Sequence, residues 1–172
     1  MNLSRPTPLL KALVCVALLT TIGVAELAAG HKPAPAFTAT TLAGEKFSNE
    51  SLKGKVVLVQ FWATWCGYCR REQPIVDNIE REFAGQGLVV LAVNVGESRK
   101  EVESYLEQKP RACRVVLKED TNLAASFRGS VFPRYVLIDR QGNIAGTQNG
   151  AGGEQSLRQL LARAGLGTAS DE

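Results

Sequence analysis

Two cysteines three residues apart, Cys66 and Cys69, lie where a strongly apolar segment gives way to a helical pattern. The segment KVVLVQFWA, residues 55–63, is a continuous apolar run that is typical of a strand buried on both faces of a sheet. From about Cys66 to Ala84, apolar residues recur at three- and four-residue spacing, which predicts an amphipathic helix. The cysteines therefore occupy a turn that joins a buried strand directly to a helix.

The segments around this junction alternate in the same way. Residues 37–47 predict a hairpin, and GLVVLAVNV, residues 87–95, predicts a second buried strand. Next come a helix capped by Ser98, a short strand and a helical turn. Two strands after Pro133 and a last helix over residues 154–164 complete the series. This order predicts an α/β domain with a central mixed sheet flanked by helices.

The chain length limits the number of domains to one. A chain of 172 residues with 45% apolar residues can bury one ordinary core. Arg5 and Lys11 precede the apolar run at residues 12–25, and this pattern is typical of a secretory signal. An uncleaved membrane anchor is the alternative. The resulting organisation is a signal peptide over residues 1–25, a linker over 26–36, a domain over 37–165 and a flexible tail over 166–172.

Charge and ligand counts narrow the possible partners. Without Arg5 and Lys11, the chain keeps 18 of its 20 basic residues against 17 acidic ones, which is no nucleic-acid footprint. A structural zinc site normally needs four ligands, but the mature chain adds only Cys113 and His31 to the cysteine pair. His31 is expected to be exposed in the linker, and Cys113 to be a small buried hydrophobe near a strand. We predict neither a metal site nor a nucleic-acid partner.

The position of the cysteine pair favours reversible disulfide chemistry. One helical turn brings two cysteines within the ~4.4–6.8 Å Cα separation that a disulfide requires. Unsatisfied N–H groups at the helix start, together with Arg70, favour a thiolate at Cys66, while Cys69 is expected to be shielded. We therefore predict an attacking thiol at Cys66 and a resolving thiol at Cys69. Covalent haem attachment is excluded because Arg70 stands where a histidine is required.

Two segments carry a family resemblance. VLVQFWATWCGYC resembles the active-site strand and turn of thioredoxin-fold proteins, and WCGYCRREQP resembles the W-C-x-x-C-R-x-E-x-P form of the exported reductases TlpA, ResA and CcmG. RGSVFPRYVLIDRQGNI is similar to the family segment that holds a cis-proline and a hairpin. The resemblance covers residues 37–164 and implies a thioredoxin-like fold with an N-terminal β-hairpin. The stretch between Val95 and Pro133 leaves room for the helix-and-strand insertion of that group.

The resemblance also assigns roles to residues around the cysteines. Pro133 would be the cis-proline facing the pair, and with Phe132 it would shape the substrate groove. Trp65 and Tyr68 would contribute to an apolar docking rim for the substrate. Glu72 lies three residues after Cys69, hence on the same helix face, where a carboxylate could exchange protons with the thiol. A surface charge is the alternative interpretation of Glu72.

Two positions depart from the family pattern. Thioredoxin has a buried aspartate where this chain has Gln60, so the task of a base would fall to Glu72. Reductases of the group commonly have a proline before the second cysteine, whereas the Gly67-Tyr68 dipeptide also occurs in the disulfide isomerase DsbC. Residues between the cysteines help to set the stability of the dithiol, so Tyr68 favours a more oxidising pair.

We predict an exported, periplasmic thiol–disulfide oxidoreductase that acts as a reductant of protein disulfides and works as a monomer without a cofactor. Its clients would be disulfide-containing proteins, such as apocytochrome c or a copper-site assembly protein. A reductant in an oxidising compartment also needs a membrane electron donor. The alternatives are an isomerase or oxidant and, from another class, a metal-binding chaperone that uses the cysteine pair. A thiol peroxidase is disfavoured because Ala63 stands where peroxiredoxins have Thr or Ser.

Overall fold

The computed structural model describes residues 32–167. The predicted signal peptide, the first part of the predicted linker with His31, and residues 168–172 of the predicted tail lie outside this range. Within residues 32–167, no helix combines the length and the apolar character needed to cross a membrane.

Seven strands form one mixed sheet in the order β2-β1-β5-β4-β3-β6-β7. The three strands β3, β4 and β5 are parallel, and every other pairing is antiparallel. All residues of the central strands β3 and β4 are buried, as their continuous apolar runs predict. The strands are β1 (Thr38–Thr41), β2 (Lys46–Ser48), β3 (Val56–Trp62), β4 (Leu88–Asn94), β5 (Arg114–Thr121), β6 (Arg134–Ile138) and β7 (Ile144–Asn149).

Four α-helices connect or follow these strands. They are α1 (Gly67–Phe83), α2 (Arg99–Gln108), α3 (Leu123–Ser126) and α4 (Gly153–Ala162), with a 3₁₀ turn over Ala84–Gln86 after α1. The predicted Ser98 cap is confirmed, since Ser98 and Glu101 form a reciprocal capping box at the start of α2. The predicted hairpin β1–β2 and the helix-and-strand insertion α2–β5 are also present.

Hydrophobic residues fill both sides of the sheet because successive side chains of a strand point to opposite faces. Along β3, Val56 and Leu58 join the core cluster that contains residues of α1, α2 and α4. Val57, Val59 and Phe61 join a second cluster on the other face, which contains residues of α3. The cysteine pair belongs to the first cluster.

Both ends of the described chain extend the packed domain beyond the predicted bounds. In the predicted linker, the Ala34 N–H donates to Gly142 O at 2.9 Å, and the Ile144 N–H donates to Lys32 O at 2.8 Å. These bonds attach residues 32–34 to the β6–β7 hairpin. Leu166, assigned to the tail from the sequence, is only 1% exposed and lies in the core. Gly165 with φ +75° makes this possible, because its left-handed conformation turns the chain back after α4.

Candidate active site

A disulfide joins Cys66 and Cys69, whose Cα atoms are 5.2 Å apart. Cys66 is the N-cap of α1, and its Sγ accepts the Cys69 backbone N–H at 3.1 Å. A backbone N–H that has no partner within the helix therefore points at Cys66 Sγ, the sulfur predicted to attack the client. This donor favours the thiolate of Cys66. The two residues are 6% and 3% exposed, so both sulfurs are largely enclosed in this bonded form.

The turn before Cys66 is held by a residue that the sequence analysis did not single out. Glu97, in the loop between β4 and α2, accepts the Thr64 backbone N–H at 2.7 Å and also the Thr64 hydroxyl. The same carboxylate accepts from Asn94 Nδ2 at 2.7 Å. Glu97 therefore fixes the turn that presents the cysteines.

An exposed apolar rim borders the disulfide. Trp65 is 65% exposed and Tyr68 59%, and Val131, which was not predicted, is 53% exposed. The ring of Trp65 meets that of half-buried Phe132 edge to face, with centroids 5.8 Å apart. This contact brings the loop before Pro133 beside the residue that precedes Cys66. We call Trp65, Tyr68, Val131 and Phe132 the apolar rim.

The peptide bond between Phe132 and Pro133 is cis, as the family resemblance implied. Pro133 itself is buried, while the residue before it reaches the rim. Trp62 and Phe61, which end β3, are in the core as expected, at 2% and 0% exposure.

Glu72 is buried under the disulfide-bearing end of α1, with only 2% of its surface exposed. One carboxylate oxygen, Oε2, accepts the Tyr135 hydroxyl at 2.5 Å, and the other, Oε1, accepts the Gly153 N–H at 2.7 Å. The interpretation of Glu72 as a surface charge is therefore wrong. The carboxylate is anchored between β6 and the first residue of α4, where the positive end of the helix dipole favours an anion.

The polar neighbours of Glu72 continue deeper into the domain. Gln60 is fully buried; its Nε2 donates to Tyr135 Oη at 3.1 Å, and its Oε1 accepts from Arg111 Nη2 at 2.8 Å. The Arg111 side chain is 2% exposed and stacks over the Trp62 ring. Its Nε lies 3.6 Å from Asp77 Oδ1. Burial raises the pKa of the Tyr135 phenol, and its bond to Glu72 raises it further. The phenol therefore stays protonated.

Cys113 lies just before β5 and is 6% exposed. Burial raises the pKa of this thiol to about 12, so it stays protonated near neutral pH. The prediction of a small buried hydrophobe is confirmed. Within residues 32–167, no group of three or more His, Cys, Asp or Glu side chains could hold a metal ion.

A mixed sheet flanked by helices, a cysteine pair at the start of α1 and a cis-proline before β6 together define a thioredoxin-like protein with a disulfide at its active-site position. Residues 28–161 match the Redoxin family, so the chain belongs to that family.

Curated and solved relatives agree with this assignment. The chain is 31% identical over 128 residues to the thiol-disulfide oxidoreductase ResA of Bacillus subtilis (strain 168), covering 74% of this chain and 72% of ResA. It is 32% identical over 131 residues to the thioredoxin-like protein YneN of the same organism, covering 74% and 76%. A thiol:disulfide interchange protein of the thioredoxin family from Chlorobium tepidum superposes with a TM-score of 0.67 at 30% identity, covering 78% of this chain and 96% of that one.

Proposed function

We propose that this thiol–disulfide oxidoreductase is exported and acts as a reductant of disulfide-containing proteins outside the cytoplasm. The observation that carries the proposal is the Cys66–Cys69 pair at the start of α1, bordered by the exposed apolar rim. Exposed aromatic side chains beside a reactive sulfur offer a surface on which an unfolded or extended client segment can dock.

The reaction begins with the dithiol form. The Cys66 thiolate attacks one sulfur of the client disulfide; the client S–S bond breaks, and its second sulfur leaves as a thiolate. Cys69 then loses its proton and attacks Cys66 Sγ in the mixed disulfide. The Cys66–Cys69 bond forms, the client leaves as a dithiol, and two electrons have passed from the protein to the client. The released client thiolates take protons from solvent.

Glu72 supports the second step by accepting the proton of Cys69. It lies one helical turn beyond that cysteine, and in this chain the neutral amide of Gln60 cannot act as a base. Trp65, Tyr68, Phe132 and Pro133 contribute to client binding in this proposal. A monomer suffices, because one chain supplies both cysteines and the whole rim.

The direction of electron flow rests on the Arg70, Glu72 and Pro74 pattern, which resembles that of exported reductases. An oxidising compartment returns such a dithiol to the disulfide, so a membrane thiol–disulfide electron donor is the upstream partner. A maturing c-type cytochrome or a copper-site assembly protein is the client type that this resemblance favours. The second candidate is an isomerase or oxidant, and the Gly67-Tyr68 dipeptide favours it.

Trapping of the thiols in living cells tests the direction. A mass-shifting alkylator should find Cys66 and Cys69 mainly reduced in cells with an intact membrane electron supply. In a strain without that supply, the pair should be mainly oxidised. A Cys113→Ser variant serves as the background for both measurements, because it removes the third thiol of the described domain. A pair that is oxidised in both strains would replace the reductant with the oxidant.

A further inference from the structure

Four buried side chains form one continuous chain of hydrogen bonds that ends at Glu72. Arg111 donates to Gln60 at 2.8 Å, Gln60 donates to Tyr135 at 3.1 Å, and Tyr135 donates to Glu72 at 2.5 Å. Gln60 and Tyr135 are fully buried, and the Arg111 side chain is 2% exposed. We call these four residues the buried hydrogen-bond chain. It links the Glu72 carboxylate to the guanidinium of Arg111, which lies between α2 and β5.

The two ends of this chain fix the direction of every bond in it. A guanidinium can only donate hydrogen bonds, and an ionised carboxylate can only accept them. The Gln60 amide must therefore turn its oxygen to Arg111 and its nitrogen to Tyr135, and the phenol must donate its O–H to Glu72. If Glu72 were protonated, it would bring a second donor to a site whose partners, the phenol and the Gly153 N–H, already donate.

We infer that Tyr135 is a positioning residue that keeps Glu72 ionised and correctly oriented beside the cysteine pair. The inference rests on the proposed proton-accepting role of Glu72 and deepens it. Only an ionised Glu72 can accept the Cys69 proton, so Tyr135 extends the working range of the resolving step to lower pH. Arg111 and Gln60 assist, because each donor in a line polarises the next one.

The donors that reach Glu72 favour its ionised form, and two other carboxylates, on α1 and α4, have basic partners of their own. On its own helix, Cys69 is the thiol to be deprotonated, and Asp77 lies close to Arg111. From α4, the Gly153 N–H approaches; the following Glu154 is exposed and pairs with Arg158. From β6, Tyr135 is the donor that a substitution can remove while keeping the aromatic ring.

The test follows the Glu72 carboxyl carbon by NMR in the oxidised protein labelled on glutamate side chains. Glu72→Gln identifies the signal by its loss. In Tyr135→Phe, the titration midpoint of Glu72 should rise by about one pH unit, since hydrogen bonds to charged groups are of that strength. Gln60→Leu should raise it by a smaller amount, and this variant also tests the inference if Tyr135→Phe does not fold.

Tyr105→Phe is the matched control. Tyr105 also donates its hydroxyl to a side chain, Gln73 Oε1 at 2.8 Å, and packs on Trp62, but it is not part of the buried hydrogen-bond chain. This variant should leave the Glu72 midpoint unchanged. It separates the loss of a phenol hydroxyl in general from the loss of the one that faces Glu72.

The reductase rate measured against pH gives the second readout. In Tyr135→Phe, the acid limb of the profile should move to higher pH; in a Glu72→Gln background, the same substitution should cause no further shift. An unchanged Glu72 midpoint in folded Tyr135→Phe overturns the inference. A raised midpoint supports it even if Glu72→Gln keeps the wild-type rate profile, and that combination overturns only the proton role of Glu72 in the proposed function.

Discussion

Helix α1 buries two glutamates, Glu72 and Glu80, and their carboxylates accept hydrogen bonds from different kinds of donor. Glu72, in the half near the disulfide, is 2% exposed and accepts from two uncharged donors, the Tyr135 phenol and the Gly153 N–H. Glu80, in the other half, is 5% exposed and faces a cation, with Arg114 Nη1 at 2.5 Å. Its second oxygen accepts the Val90 N–H at 2.9 Å.

The difference shows how one residue type serves two purposes on one helix. Glu80 ties α1 to β4 through Val90 and to β5 through Arg114, so its bonds hold the helix against the sheet. Glu72 ties α1 to β6 and α4 and lies one turn from Cys69. Within residues 32–167, no guanidinium donates to it directly. Glu80 is thus held by a guanidinium and a backbone N–H, whereas the two donors to Glu72, a phenol and a backbone N–H, are uncharged.

The largest effect on activity should come from substitution of the cysteines, which lie at the Glu72 end of α1. Cys66→Ser should remove the attacking sulfur and lower the exchange rate by roughly a thousandfold or more, to the background rate. Cys69→Ser should retain the attack but not the resolution, so it should accumulate mixed disulfides with clients. Non-reducing gel electrophoresis after acid quenching detects these adducts. Adducts on Cys66→Ser instead would reverse the assignment of the two thiols.

The next effect should separate the two glutamates by activity. Glu72→Gln should slow reductase turnover by about a hundredfold, the low end for loss of general acid–base catalysis, and should flatten the acid limb of the pH–rate profile. Glu80→Gln is the matched control on the same helix and should keep the rate within about twofold. Steady-state rates of insulin reduction between pH 5 and 9 compare the two variants. A wild-type profile for Glu72→Gln would give Glu72 the same purely structural role as Glu80.

Much of the fold, and the position of the cysteine pair in it, follows from local sequence pattern. The buried runs of β3 and β4, the Ser98 cap and the helical spacing of α1 depend on neighbouring residues, so the sequence predicts the α/β fold and the position of the cysteine pair. The cis bond at Pro133 came from the resemblance of a whole segment. Leu166 was predicted to lie in the tail, but the left-handed conformation of Gly165 folds it back onto the core. A Gly after a helix is a signal that could have indicated this return.

The partners of Glu72 could not be predicted in the same way. Tyr135 and Gly153 are 63 and 81 residues away in the chain, and Arg111 is 51 residues from Gln60. Such contacts depend on strand register and on how the last helix packs, which no local pattern specifies. One signal was available: Gln60 is a polar residue inside a strand predicted to be buried on both faces, and buried polar groups require partners.

The smallest effect should appear in stability, at the Glu80 end. Burial raises the pKa of the Glu80 carboxyl, and this effect outweighs the neighbouring Arg114 guanidinium, which lowers it. Between its unfolded and folded pKa values, the folded protein therefore binds more protons than the unfolded chain, and its stability falls as pH rises. This contribution is complete below the unfolded pKa, about 4.3, and is lost as pH rises through the folded value.

Glu80→Gln cannot titrate, so the unfolding free energy of the wild type minus that of the variant should decrease from about pH 4 upward and then level off. Urea unfolding of both proteins at a series of pH values measures this difference. An increase with pH would mean that Arg114 holds Glu80 ionised, in which case the contact at this end of α1 is a dominant ion pair.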